Sequence, residues 1–260
     1  MWLGWLGKFP SSPRSFLPLN CLSKNLFSRL PTIIMVVLST KPTRSICVLC
    51  GGNIGAEGKY AKLADELAML FYKNNWRLVY GGSPRGIMGR ISRTLAELGG
   101  DVIGIKPTPF LKYSNGKLPE WGYNELVPDI HTQKARMAEL SNGYLFLPGG
   151  FGTLEEFCAF RMWRKLGIIK APLVILNFEN YYEDLVKWIE LGADEGFISE
   201  NAAAAFSVVQ SLDKVSETFS TSSYATDEQL DLSDMAPPCN KEYLGLPLPI
   251  SRLATKNLRD

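Results

Sequence analysis

From Ser45 to about Val209, short apolar runs alternate with stretches in which apolar residues recur every three or four positions. The runs Ile46–Cys50, Trp76–Tyr80, Asp101–Ile105, Gly143–Leu147 and Pro172–Leu176 predict buried strands, and Glu125–Val127 a further extended piece. Helical spacing covers Lys59–Tyr72, Gly86–Leu98, His131–Leu140, residues 153–166 and Tyr181–Leu191. A proline-rich connection, Pro107 to Trp121, interrupts the alternation. Strands in regular alternation with helices predict an α/β fold, a parallel sheet covered by helices on both faces and joined by right-handed crossovers. Ligands of such sheets bind at the carboxyl ends of the strands. Three glycine clusters, Gly51-Gly52, Gly81-Gly82 and Gly149-Gly150, each follow a strand directly and therefore belong on one rim.

The chain ends differ from this core. Residues 1–44 contain six basic and no acidic side chains, with frequent serine, the composition of a mitochondrial transit peptide or of a disordered extension. From Ser220 onward Ser/Thr/Asp/Pro-rich segments lack periodicity and predict a poorly ordered tail over about 218–260. The globular domain is then a single one, 45–217. Over the 260 residues, 46% hydrophobic and 21% charged content are ordinary globular values, and a net charge of +2 gives no global field for nucleic acid. The run Ile33–Leu38 is too short to span a bilayer. Five irregularly spaced cysteines point to reduced thiols in a cytoplasmic compartment.

The most informative segment is Leu147-Pro148-Gly149-Gly150-Phe151-Gly152-Thr153-Leu154-Glu155-Glu156. It reads as strand, tight turn and helix N-terminus, with Thr153 as the cap and two carboxylates at once behind it. Outward-pointing amides carrying about half a positive charge suit a phosphate. Either glutamate could face it; being about 100° apart on a helix, only one does so fully. Glycine clusters at the same rim make a mononucleotide or sugar-phosphate pocket the better reading, since no G-x-G-x-x-G fingerprint is present. Arg85, opening a helix with Gly86 and Gly89, can bind phosphate bidentately. Cys47 and Cys50 point to opposite faces of one strand and read as buried small hydrophobes rather than metal ligands. His131, the only histidine, stands at a helix start, followed by Gln133, Lys134 and Arg136 within one turn. From the residues alone, a solvated surface stripe is the better reading of that last trio.

Together these residues resemble a known family. Cys50-Gly51-Gly52-x-x-Gly55, Tyr80-Gly81-Gly82-x-x-x-Gly86-Ile87-Met88-Gly89, His131-x-x-Lys134 and Pro148-Gly149-Gly150-x-Gly152-Thr153-x-x-Glu156 occur in the order and spacing of the Lonely Guy family, the cytokinin riboside 5'-monophosphate phosphoribohydrolases. Trp163-x-x-Leu166-Gly167 and Gly196-Phe197-Ile198 extend the resemblance, which covers about Ser45 to Phe206. It implies a Rossmann-like three-layer homodimer without metal or other cofactor. The implied reaction releases a free base and ribose 5-phosphate from a nucleoside 5'-monophosphate such as AMP, with neither nucleic acid nor membrane as partner. By family position Glu156 is the catalytic carboxylate, assisted by Lys134 and by residue 133. The implied binding residues are Gly51, Gly52, Gly82, Met88, Gly89, His131, Gly149, Gly150, Gly152 and Thr153, to which Arg85 is added for its own place at a helix start. Two departures stand out: Gln133 occupies the position of a family arginine, and Ser83-Pro84-Arg85 replace small or apolar residues. Arg85 or Arg136 is the expected source of the missing charge. The alternative is a catalytically weakened homologue that binds a nucleotide or carries a phosphorylated cofactor.

Overall fold

The computed structural model describes residues 42–56 and 58–222. Its strands are β1 (Arg44–Leu49), β2 (Trp76–Tyr80), β3 (Val102–Pro107), β4 (Tyr123–Val127), β5 (Tyr144–Phe146), β6 (Leu173–Leu176) and β7 (Ser207–Val209). The helices are α1 (Lys59–Lys73), α2 (Gly86–Glu97), α3 (Ile130–Glu139), α4 (Phe151–Lys165), α5 (Glu183–Asp194), α6 (Glu200–Ala203) and α7 (Leu212–Thr221). All strand pairs are parallel, in the order β4-β3-β2-β1-β5-β6-β7. This is the α/β arrangement of a parallel sheet between helices that the alternation predicts, and the Rossmann-like three-layer fold that the resemblance implies.

The period-2 geometry of the strands divides the core in two. Ile46, Val48, Leu78, Leu145 and Val174 face α1, α2 and α7 through Leu63, Leu67, Phe71, Ile91, Leu95 and Phe219. Their neighbours Cys47, Leu49, Val79, Phe146 and Ile175 face α3, α4 and α5 through Met137, Phe157, Phe160 and Ile189. Strands buried on both faces explain why they read as continuous apolar runs. Cys47 and Cys50 fall in different halves, both buried as free thiols.

The carboxyl-terminal part differs from the sequence reading. The strand Ser207–Val209 and the helix Leu212–Thr221 close one edge, and Phe219 is fully buried against Trp76 and Gly143. Residues 218–221 therefore belong to the folded domain, with Phe219 in its core; burial of that phenyl ring contributes about 1.5–3 kcal/mol. The ends assigned to a targeting or disordered extension and to a tail otherwise lie outside the described residues, at 1–41 and 223–260. Among the described residues no helix is long and apolar enough to cross a membrane.

The chain leaves β1 towards β4 on one side, then returns to β5 on the other. The point of reversal lies between β1 and β5, which pair directly through Cys47–Leu49 and Tyr144–Phe146. A crevice at their carboxyl ends is where such a sheet binds ligands.

Candidate active site

A cavity of about 620 Å³ opens at that crevice, within the usual range for a small-molecule site. All three glycine clusters reach it: Gly51, Gly52, Gly81, Gly149, Gly150 and Gly152 line its wall with Met88 and Arg85. Backbone approaches account for several of them. A Cβ on Gly86 would lie 2.3 Å from the Gly52 carbonyl carbon, and one on Gly149 would collide with Thr153 Oγ1. Gly82 and Gly89 act one layer out. Side chains there would strike Lys106 and the Pro84 carbonyl respectively, so they fix the walls without lining the cavity.

The α4 N-terminus is built differently from the expected Thr153 cap. The helix starts at Phe151 with Gly150 as N-cap, and no side chain caps it. Thr153, third in the helix, is buried and lines the cavity. The first amides of a helix have no partner within it. Those of Phe151, Gly152 and Thr153 thus remain available to an anion at the positive end of the helix dipole. Glu155 and Glu156 stand one turn further in, outside the first turn. Tyr181 braces the turn by donating from its hydroxyl to the Gly149 carbonyl at 2.6 Å, and Tyr182 does the same to Leu147 at 2.7 Å.

The two glutamates separate cleanly. Glu156 lines the cavity, whereas Glu155 is turned to solvent and pairs with the buried Lys134 ammonium. Burial pushes the Glu156 carboxyl up to about 8; the Glu155 charge adds to the rise and Lys134 opposes it. Lys134 thus reaches the site only through the field it exerts from behind α4, since it does not line the cavity. His131 is also placed elsewhere. It is exposed at the start of α3, where Asp129 caps the helix by accepting from the His131 and Thr132 amides at 2.8 and 2.7 Å.

Gln133 does line the cavity. It is buried, and its Nε2 donates to Ile105 O at 2.7 Å and more weakly to Gly81 O at 3.4 Å, tying α3 to the ends of β2 and β3. Arg136 cannot replace the charge that an arginine at 133 would bring. Its guanidinium is engaged by both Glu125 oxygens at 3.1 Å and by Glu139 at 3.0 Å, away from the cavity. Arg136→Ala is therefore expected to leave the activity of the site within about twofold of the unaltered chain. A larger loss in a steady-state assay would put Arg136 back at the site. The other cations at the cavity are Arg85, exposed on the rim, and Lys106, which the sequence reading passed over. Tyr60, Phe110, Tyr113 and Tyr181 add aromatic walls that were equally unforeseen.

A family model described as "Possible lysine decarboxylase" matches residues 88–219, from Met88 through the whole of α4. A cytokinin riboside 5'-monophosphate phosphoribohydrolase of Rhodococcoides fascians is 38% identical over 170 residues, spanning 63% of this chain and 83% of that protein. An enzyme of the same name from Arabidopsis thaliana is 39% identical over 160 residues, 61% of this chain and 74% of that one. The chain belongs to this family. A solved molybdenum cofactor binding protein from Rippkaea orientalis shares the family's fold at 19% identity, with a TM-score of 0.50 over 68% of this chain and 95% of its own. The uncapped α4 end, Glu156 and the cavity wall from Met88 onward lie within the residues that the family model matches, whereas the wall contributed by Cys50 to Ile87 precedes them.

Proposed function

We propose that this chain hydrolyses the N-glycosidic bond of nucleoside 5'-monophosphates, of the cytokinin type or with adenine itself, to free base and ribose 5-phosphate. One observation carries the reading: a carboxyl held up to about 8 stands one helical turn behind an uncapped helix N-terminus in the same cavity. The phosphate occupies the open amides of α4. Binding energy from that remote group fixes the ribose over Glu156. Cleavage passes through an oxocarbenium-like state, which an ionised carboxylate stabilises while it takes a proton from the attacking water. Incubation with AMP and with N6-prenylated AMP, followed by assay of free base, tests the reading. No release from either, beside an active family member as control, refutes it.

A second reading rests on Gln133: a chain that binds the nucleotide without cutting it. Measurable AMP affinity without turnover would favour it. As to assembly, the chain works as a homodimer. Phe151, Leu154, Met162 and Leu166 form one exposed apolar stripe along α4, and Trp188 and Leu191 another on α5. Stripes of this size on helices otherwise packed to the sheet suit a second copy. Light scattering at the mass of a single chain would count against it.

A further inference from the structure

A positive charge stands in the cavity wall beside Gln133 on a different element, at Lys106. This side chain is buried at the carboxyl end of β3, in the cavity wall beside Gln133, whose amide binds the carbonyl of the preceding Ile105 at 2.7 Å. Its Nζ donates to Ser114 Oγ at 2.8 Å, and that hydroxyl in turn donates to Lys117 O at 2.6 Å. Ser114 belongs to a short 3-10 helix, Thr108–Ser114, which also brings Phe110 and Tyr113 to the cavity. An ammonium has three donors. One points to Ser114, so the others are available to a ligand.

The sheet order decides what Lys106 meets. The phosphate cradle follows β5, and the sequence β5-β1-β2-β3 places Lys106 three strand spacings away, roughly 14 Å. That is about the length of an extended purine nucleotide. With phosphate on α4 and ribose over Glu156, the base reaches the wall formed by Lys106, Phe110 and Tyr113. Burial and the nearby Arg85 both lower the pKa of Lys106, which makes its ammonium a readier proton donor.

Taking the hydrolase reading as given, we propose that Lys106 is a catalytic residue that protonates the departing base. The C1'–N bond breaks with its electron pair passing to the base nitrogen. Water oxygen bonds to C1' and gives one proton to the Glu156 carboxylate. A ring nitrogen of the base receives a proton from the Lys106 ammonium. Glu156 then loses its proton to solvent and the Lys106 amine regains one, which closes the cycle. The substrate class this wall favours is a base with an accepting ring nitrogen on its outer edge and an aromatic face for Phe110 and Tyr113.

The test compares Lys106→Met with the unaltered chain on AMP and on ribose 5-phosphate bearing 4-nitrophenolate at C1', a group that leaves without a proton. On AMP, kcat falls by about 100-fold, the usual loss for a general acid. On the nitrophenyl substrate it falls less than about threefold, and calorimetry finds ribose 5-phosphate bound as before. Equal losses on both substrates, or an unchanged kcat on AMP, overturn the proposal; so does weakened binding of ribose 5-phosphate, which would make Lys106 a phosphate ligand. Lys106→Gln, which keeps a donor to Ser114 but has no proton to give, serves if Lys106→Met does not fold, with the same outcomes required. An unaltered chain that releases neither base nor nitrophenolate refutes the hydrolase reading itself. Turnover that survives in both Lys106 variants refutes only the role of Lys106.

Discussion

Glu156→Gln is expected to reduce base release by at least about 1,000-fold while making the folded chain more stable above neutral pH. The two effects share one cause. The folded protein holds the Glu156 carboxyl up to about 8 against an ordinary value of 4.5, chiefly by burial. Between those two values the unfolded chain has already released the proton that the folded chain retains. Stability therefore falls as pH rises through that window, and the contribution of the protonated carboxyl, complete at acid pH, is lost by about pH 8. Glutamine cannot ionise and escapes the loss. Because the cavity admits water, the gain at pH 9 is about 2–4 kcal/mol rather than the full value of the shift. Thermal unfolding of both proteins from pH 5 to pH 9 checks this: the curves converge at the acid end and separate in favour of glutamine at the alkaline end. Turnover of the unaltered chain rises with pH over the same interval, since only the carboxylate can take a proton from water. A glutamine variant that is active, or no more stable at pH 9 than at pH 5 relative to glutamate, would remove Glu156 from its role.

The second large effect belongs to Gly86→Ala. Gly86 has φ of +65°, and an added Cβ would sit 2.3 Å from the Gly52 carbonyl carbon and 2.6 Å from the Asn53 nitrogen. Strain and collision act together, because the contact is backbone against backbone and has no flexible side chain to yield. Nearby, the Ile87 amide donates to Gly51 O at 3.2 Å, so the substitution pries two rims of the cavity apart. A loss of at least about 3 kcal/mol in denaturant unfolding is expected, with AMP affinity falling in parallel. Gly150→Ala is the matched control: it has negative φ, and nothing lies within 4 Å of the added carbon. It should cost less than about 1 kcal/mol of stability. Similar midpoints for the two variants would show that the glycine contact is not what holds the rim together.

The sheet was legible because its strands are buried on both faces and appear as uninterrupted apolar runs, while its helices keep a clear amphipathic spacing. The last strand and helix were not. Ser207–Val209 is three residues long, and the helix ending at Thr221 reads as polar but for Leu212, Val215 and Phe219. At the site, glycines after strands pointed to one rim, while helical spacing left Glu155 and Glu156 undecided and only the family resemblance named Glu156. Arg136 and His131 were misplaced for a common reason. Helical spacing shows which residues are neighbours, but not which side the sheet will cover. Asp129, Glu125 and Glu139 decide that. Lys106 was hidden by its setting as a single charge at the end of an apolar strand. The rule that ligands meet strand carboxyl ends could have found it, had it been applied to β3 as well as to the glycine turns. Nothing in the sequence marks Tyr181 or Phe110, which come to the cavity through tertiary packing alone.

The bare Gly150 at the head of α4 also bears on how long the chain survives. With no side chain to complete that helix, the empty protein relies on water for its first amides, and a bound nucleotide supplies what the sequence omits. A ligand at a hundredfold excess over its Kd adds about 2.7 kcal/mol to the folded state, a sizeable share of the roughly 5–15 kcal/mol that separate folded from unfolded domains. Unoccupied copies would open more often and be degraded sooner. The abundance of the protein would then follow the supply of its own substrate, without any regulator beyond the open end of one helix.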